Sequence, residues 1–370
     1  MSKKIPLVSV IIPMYNSAKF IPQTLESLLN QTLKNFEVVV VDDCSTDNSV
    51  EVVENFATKF NTGGGINVIK LRRNTGTPGL PRNVGIKFAR GRYITFLDSD
   101  DLLTSTALEE LTTLAEEYRA EIVHNNSWFV LWDNQRKVED DPAMTDMTEL
   151  LNPENFTHKT DVRTPIDDTI RFETESLAER VRRWSIWDYH WGAPSLFCRR
   201  DFLVTNRIFF PDIRVYEDMT FFFECLFKAK RFLRVPNVTY IVRPRRGSVT
   251  RDENHLQPEK IIKNCLTVTQ SAVKEFKRIM NSLDFFRANK NYEDIVLDFF
   301  LNGFNWVSSV NLPPIYAKIP MHKMYELIKK EFNADNAALA AYLFNTVNVH
   351  RIRFKELELE NRVLKKVQTM

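Results

Sequence analysis

The chain is expected to be an α/β protein, a mostly parallel sheet with helices on both faces. Three observations carry that expectation. Short apolar runs alternate with amphipathic helical stretches through residues 1–125. The runs are apolar throughout instead of alternating with polar residues, as strands covered on both faces require. Two of them end abruptly in carboxylates, at Asp42-Asp43 and at Phe96-Leu97-Asp98-Ser99-Asp100-Asp101. Open sheets of this kind bind ligands outside the carboxyl ends of their strands.

Each element follows in turn. Leu7 to Pro13 reads as the first strand, and the helix after it sets Ile21, Leu25, Leu28 and Leu29 on one face. Phe36 to Val41 is the second strand. Asp47 or a neighbour should cap the next helix, with Val52, Val53, Phe56 and Phe60 on its apolar side. Ile66 to Leu71 is the third strand, and Pro81 suits the first turn of a short helix reaching Arg90. Tyr93 to Leu97 is the fourth strand. Thr106 and Glu109 have capping-box spacing before a helix with Leu108, Leu111 and Ala115 inward, and Ile122-Val123 belongs to a fifth strand.

The length of 370 residues suits two domains, or one large α/β domain with an extension. A hydrophobic content of 44% with 27 Phe supports a sizeable core, and a net charge of +2 argues against nucleic acid as a partner. Cys44, Cys198, Cys225 and Cys265 form no CxxC pair and fit a reducing setting. Met1 to Pro6 lacks a signal-peptide pattern and no apolar segment approaches ~18 residues, so a cytoplasmic location is expected. Residues 133–179 carry 13 acids against five Lys/Arg, with Pro142, Pro153 and Pro165, and read as an acidic, partly irregular insertion. Residues 180–251 reverse the balance, 15 Lys/Arg against six acids, interleaved with aromatics. That pattern fits nucleic acid, or equally a β-hairpin of charges around a phosphorylated small molecule. Residues 251–370 read as helical. Ile352, Phe354, Leu357, Leu364 and Val367 form a stripe that suits core packing, and it leaves open a homo-oligomer or a peripheral contact with the inner face of a membrane.

Crowded carboxylates at a strand end repel one another unless a cation neutralises them. Mg²⁺ or Mn²⁺ suits that task, taking hard oxygen ligands and keeping positions for substrate phosphates; the competing reading of the same acids is helix capping. Tyr15 could stack on a base or pack at the sheet edge. Asn74 to Gly85 is a glycine-punctuated loop in which Arg82 is a fork-shaped donor, but it lacks a P-loop ending. Gly63 to Gly65 read as a plain turn. Glu217-Asp218 opens an aromatic, helix-prone run to about Lys230, as dipole partners or as a carboxylate base. Trp184, Trp187, His190 and Trp191 are either core or an acceptor platform.

Five motifs taken together, Val8-Ser-Val-Ile-Ile-Pro-Met-Tyr-Asn16, Val40-Val-Asp-Asp-Cys-Ser-Thr-Asp-Asn-Ser49, Pro81-Arg-Asn-Val-Gly-Ile86, Asp98-Ser-Asp-Asp101 and Glu217-Asp218, resemble family 2 glycosyltransferases in order and spacing over roughly residues 5–250. The Gly-x-Pro-Arg-Asn loop and the segment Phe210-Pro211 to Asp218 look most like the bacterial wall teichoic acid and capsule branch. The resemblance implies a GT-A fold with a C-terminal helical extension. It implies a nucleotide-sugar half over residues 1–125, an acceptor half over 126–250 and helices over 251–370. It further implies an inverting, metal-dependent transferase moving a sugar from a UDP-sugar to a glycan, polyol-phosphate or lipid-linked acceptor. Position by position, Pro13 and Tyr15 would line the uracil site, Asn16 would contact the donor and Asp43 would accept from the base. Arg82, Asn83, Asp98 and Ser99 would contact the nucleotide, and Asp98 and Asp100 would hold Mn²⁺ or Mg²⁺, with Asp101 behind them or capping a helix. Asp218 would be the catalytic base with Glu217 in support. Arg243, Arg245, Arg246 and Ser248 would close over the diphosphate. The alternatives are a nucleotide-sugar-binding protein without transfer, or a sugar nucleotidyltransferase, which should carry a glycine-rich basic loop where this chain has Pro13-Met-Tyr-Asn16.

Overall fold

The computed structural model describes residues 5–60, 63–131, 156–159, 169–213, 216–243 and 271–311, with 156–159 and 301–311 as backbone alone. Strands β1 (Val8–Met14) and β2 (Phe36–Asp42) are buried at every position. Their Val, Ile and Phe side chains contribute about 1.5–3 kcal/mol each on burial, which fixes them at the centre of the sheet. They pair in parallel from Val8 opposite Phe36 to Met14 opposite Asp42. Strand β3 (Gly65–Lys70) extends the sheet beyond β2, and β4 (Tyr93–Phe96) lies parallel on the other side of β1. The carboxyl ends of β1, β2 and β4 therefore share one edge, where Tyr15, Asp43 and Asp98 leave the sheet.

Helices α1 (Ile21–Leu29), α2 (Ser49–Ala57) and α3 (Gly79–Phe88) make the crossovers. Helix α1 buries Ile21, Leu25 and Leu28, the stripe its spacing predicts. Helix α3 rides tightly on β1: a Cβ at Gly85 would come within 2.3 Å of Ile11 Cγ2, so no larger residue fits at that distance. Helix α4 (Ala107–Glu117) buries Leu108, Leu111, Leu114 and Ala115 and leads into β6 (Ile122–Asn125).

The later half of the chain completes the same sheet. Strand β10 (Leu196–Arg199) inserts antiparallel between β4 and β6, β11 (Phe232–Val235) pairs parallel to β6, and β9 (Arg171–Phe172) closes the edge. The eight-stranded order is β3-β2-β1-β4-β10-β6-β11-β9. A second sheet, in the order β5-β12-β7-β8, joins β5 (Leu102–Leu103), β12 (Tyr240–Val242), β7 (Trp128–Leu131) and β8 (Phe156–Lys159). Strand β5 follows the acidic loop directly, so Asp98 to Asp101 lie between the two sheets.

Several local expectations are corrected. Thr106 forms no side-chain cap; its hydroxyl bonds to Glu110 on the next turn instead of completing a box with Glu109. Residues 156–159 and 171–172 are strands and α5 (Leu177–Ser185) begins before 179, so the irregular part of the acidic stretch is shorter than 133–179. The described residues of the basic-aromatic stretch form no β-hairpin; their helices and strands are α5, β10, α6 (Arg200–Thr205), α7 (Glu217–Lys228), β11 and β12. Much of its charge is internal. Arg180, for instance, donates to the carbonyls of Thr174 (2.6 Å) and Ala229 (2.8 Å) and to that of Leu226.

The chain divides into two units, Met1–Arg245 with Lys274–Val296, and Arg246–Val273 with Leu297–Met370. Both sheets lie in the first. The described residues of the second, 271–273 and 297–311, are helical. Among the described residues no helix is long and apolar enough to cross a membrane. The stripe from Ile352 to Val367 lies outside them.

Candidate active site

The acidic loop alternates between exposed and anchored residues. Asp98 and Asp100 are half-buried, whereas Ser99 and Asp101 are buried. Asp101 accepts from Tyr240 Oη at 2.7 Å and from the Arg243 backbone N–H at 2.8 Å, and Tyr240 Oη accepts the Asp98 N–H at 3.3 Å. Burial, followed by the charges of Asp100 and Asp98, pushes the Asp101 carboxyl well above the usual range, and the bonds from Arg243 and Tyr240 oppose the shift. Asp101 is thus the anchor of the loop. Ser99 shares a 2.6 Å hydroxyl contact with Ser17, and its carbonyl accepts from Thr24 Oγ1 at 3.1 Å. Arg243 donates to the Asp100 carbonyl (2.7 Å), to the Phe20 carbonyl (3.2 Å) and to Gln23. Ser99 and Arg243, expected against the donor, therefore hold the acidic loop to α1 and its approach. Arg245, Arg246 and Ser248 lie outside the described residues.

At the ends of β1 and β2, Pro13 is buried in its strand while Tyr15 is 47% exposed. Asn16, at φ 49, turns its side-chain oxygen onto the N–H groups of Thr46 (2.8 Å) and Asp47 (3.3 Å). Its side-chain oxygen thus braces the loop after β2. Asp43 accepts from the Thr75 N–H at 2.9 Å and from the Thr75 hydroxyl at 2.9 Å. Burial raises its pKa and the Thr75 bonds lower it, with a net rise. Thr75 was missed by sequence reasoning; its one signal is its place at the start of the glycine-punctuated loop.

Arg82 joins the two acidic groups. It is buried on α3, donating Nη2 to Asp98 Oδ1 at 2.7 Å and Nη1 to Glu217 Oε1 at 3.4 Å, with its guanidinium 5.3 Å from the centre of the Phe210 ring. Among the described residues its Nε–H has no acceptor. Burial alone would lower its pKa; the charges of Asp98, Glu217 and Asp218 outweigh that and raise it. Asn83 pairs with the Phe210 backbone in both directions, Nδ2 to the carbonyl at 2.7 Å and Oδ1 from the N–H at 2.8 Å. Asn83 therefore fixes the segment leading to Glu217.

Glu217 and Asp218 open α7, where the four leading N–H groups favour negative charge. Tyr216 before them sits in the left-handed region at φ 66, which turns the chain sharply into the helix. Asp218 accepts its neighbour Met219's N–H at 2.8 Å. Burial, then the charge of Asp218, raises Glu217 to about 8 against the pull of Arg82. Burial also raises Asp218, and Arg82 and His190 oppose it. Gly79 at the start of α3 leaves room for Glu217: a Cβ there would lie 3.0 Å from Glu217 Cγ.

The four acceptor candidates separate. Trp184 is core, its ring 5.1 Å from Phe223, 6.1 Å from Phe276 and 6.2 Å from Phe222. Trp187, His190 and Trp191 are half-buried on the loop after α5. Trp128 of β7, unnoticed in the sequence, lies tilted against His190 with ring centres 4.4 Å apart.

A family model for glycosyl transferase family 2 matches residues 9–180. The chain is 32% identical over 249 residues to the uncharacterized glycosyltransferase EpsJ of Bacillus subtilis, covering 66% of this chain and 63% of that one. It is 30% identical over 227 residues to an uncharacterized glycosyltransferase of Haemophilus influenzae, covering 61% and 74%. It is 42% identical over 117 residues to the poly(ribitol-phosphate) β-N-acetylglucosaminyltransferase TarS of Staphylococcus aureus, covering 31% and 20%. The chain thus spans less than two thirds of EpsJ and about a fifth of TarS. The crystal structure of TarS residues 1–349 with UDP superposes with a TM-score of 0.57 at 23% identity, covering 90% of this chain and 80% of that one, which shows a shared fold. With a matching family model and a relative 30% identical that the chain covers over 74% of its length, the chain belongs to glycosyltransferase family 2.

Proposed function

We propose that this protein transfers a sugar from a UDP-sugar to a hydroxyl of a bacterial surface glycan or polyol-phosphate polymer, with inversion at the anomeric carbon. One observation carries the reading: Arg82 ties the acidic strand end at Asp98 to the acid pair at the head of α7. A candidate donor-binding group, Asp98, and Glu217, the neighbour of the candidate base Asp218, are thereby linked by a single guanidinium. The names of the relatives support the donor and acceptor classes, since TarS is a poly(ribitol-phosphate) β-N-acetylglucosaminyltransferase and its structures include complexes with UDP and UDP-GlcNAc.

In this reading Tyr15 stacks on the uracil, Asp43 accepts from it while held by Thr75, and Arg82 takes diphosphate oxygens. Asp218 removes the proton from the acceptor hydroxyl. The oxygen attacks the anomeric carbon from the face opposite the diphosphate, and the bond to the leaving oxygen breaks with its electron pair moving onto UDP. The raised pKa of Asp218 makes it a stronger base than an exposed carboxylate. Glu217 steadies Arg82, where negative charge collects on the departing diphosphate.

The half-buried carboxylates of Asp98 and Asp100 fit a hard divalent cation such as Mn²⁺ or Mg²⁺. Among the described residues no group of three or more His, Cys, Asp or Glu could hold a metal ion by itself. When bound, the cation supplies charge neutralisation for the diphosphate.

The test is a panel of UDP-sugars scored by released UDP, with and without Mn²⁺ and with ribitol-phosphate and oligosaccharide acceptors. Acceptor-stimulated UDP release supports transfer. UDP binding without release from any donor favours a binding protein, and diphosphate release from UTP with a sugar phosphate favours a nucleotidyltransferase.

A further inference from the structure

The loop from Ile186 to Gly192 is held firmly from beneath. Arg234 donates to the Asp188 carboxylate at 2.9 Å and to its carbonyl at 2.8 Å, and Asn126 Nδ2 donates to the same carbonyl at 3.1 Å. Asn126 Oδ1 accepts the His190 N–H at 3.2 Å, and His124 Nε2 donates to the His190 carbonyl at 2.8 Å. Glu173 and Arg183 complete the buried ion cluster. Within this frame Trp187 takes φ 60, a strained conformation for a bulky side chain that persists where its surroundings over-determine it. Such strain is common where a side chain must be aimed at a ligand.

What the loop displays is aromatic. The rings of Trp187 and Trp191 are 4.6 Å apart, and His190 lies tilted against Trp128 with ring centres 4.4 Å apart. The His190 imidazole also lies over Gly192, where a Cβ would come within 2.8 Å of its Nε2. The loop adjoins the helix that begins with Glu217 and Asp218. Tyr189 packs on Phe222 of α7 at 5.8 Å, the 3₁₀ turn Ala193–Ser195 packs against the same helix, and His190 acts electrostatically on Asp218.

We propose that Trp128, Trp187, His190 and Trp191 form the acceptor subsite, and that it receives a pyranose ring in preference to an open-chain polyol phosphate. The proposal rests on the reading of Asp218 as the base. A sugar ring offers flat C–H faces that bury apolar surface against aromatic rings. A polyol-phosphate chain calls for Arg or Lys forks. The arginines beneath this loop, Arg183 and Arg234, are bonded to Glu173 and Asp188 in the buried cluster.

The test uses the full chain with Mn²⁺, with and without UDP. It is titrated with methyl β-D-glucopyranoside and methyl N-acetyl-β-D-glucosaminide against ribitol 5-phosphate and glycerol 3-phosphate, read by tryptophan fluorescence and saturation-transfer NMR. Pyranosides are expected to bind more tightly than either polyol phosphate. Trp128→Ala and Trp191→Ala are each expected to weaken pyranoside binding by about tenfold, with UDP binding showing that the variant is folded, and Trp128→Phe to recover most of the loss. Tighter binding of ribitol 5-phosphate, no pyranoside response from the wild type, or unchanged pyranoside affinity in both alanine variants overturns the proposal. Pyranoside binding by a wild type that fails to bind UDP keeps this subsite and overturns the donor reading instead.

Discussion

Arg82 and Glu217, 135 residues apart in the chain, face each other across 3.4 Å in the protein interior. The other arm of the same guanidinium holds Asp98 at 2.7 Å. Three elements meet there: the first turn of α3, the end of β4 and the head of α7. Removing the cation would leave two acids facing each other in low dielectric, so Arg82 is needed for the integrity of the site as well as for any ligand.

Arg82→Met is therefore expected to destabilise the protein by about 1–3 kcal/mol, since it leaves the Asp98 and Glu217 acceptors without their donor. Arg82→Lys should preserve more stability yet lose UDP affinity, because one ammonium cannot fork between Asp98 and Glu217. Urea unfolding and calorimetric UDP titration measure the two effects separately. Unchanged UDP affinity in the lysine variant would remove Arg82 from donor binding.

Asp218→Asn should lower kcat by about 10²- to 10⁴-fold with donor affinity little changed, since the amide keeps the shape and loses the basicity. Steady-state kinetics against UDP binding decides it. A near-normal rate excludes Asp218 as the base.

The acidic loop should separate by residue. Asp100→Ala is expected to abolish the metal-dependent part of UDP binding. Asp101→Ala should chiefly reduce stability, by about 1–3 kcal/mol for each buried donor left unpaired on Tyr240 and Arg243. Calorimetry with and without Mn²⁺, beside thermal melts, reads both. The opposite pattern would reverse the assignment.

Gly79→Ala probes the contact between α3 and the acid pair. The new methyl would lie 3.0 Å from Glu217 Cγ and 3.1 Å from Phe210 Cβ, and overpacking of this kind costs about 1–3 kcal/mol. Turnover should fall further than stability, because Glu217 is the group displaced. A variant with wild-type kcat and melting temperature would show that the site absorbs the methyl.

The pH dependence of stability has a defined sign. Glu217 stands near 8 in the folded protein against an ordinary value of 4.5. Between those values the folded state holds a proton that the unfolded state has released, so stability falls as pH rises through that window. Asp218, also raised, acts in the same direction. Thermal melts of ligand-free protein from pH 5 to pH 8 should show this decline, and Glu217→Gln should flatten it. A decline of equal slope in the variant would assign the effect elsewhere.

The chain alone made much of this architecture readable. The runs at Val8–Met14 and Phe36–Asp42 are so uniformly apolar that burial on both faces is their natural outcome, and strands so buried place their carboxyl ends, with Asp43 and Asp98, on one edge. The same reasoning placed Glu217 and Asp218 at a helix head. It could not decide among neighbouring polar residues. Ser99, Asn16, Asn83 and Arg243 sit in the right motifs, yet their hydrogen-bonding groups hold Ser17, Thr46, Phe210 and Asp100. Motif position reports which loop a residue occupies; side-chain direction depends on partners 30 to 143 residues away.

What the sequence determined by itself is the order of strands and helices and the acids at their ends, because hydrophobic periodicity and strand termini are local properties of the chain. Tertiary structure alone decided that β10 inserts between β4 and β6, that Thr75 holds Asp43, that Arg82 bridges Asp98 to Glu217, and that Trp184 is core while Trp128 joins His190. Those outcomes depend on which distant side chains satisfy one another's charge, hydrogen bonds and volume, and such pairings arise when separate elements pack.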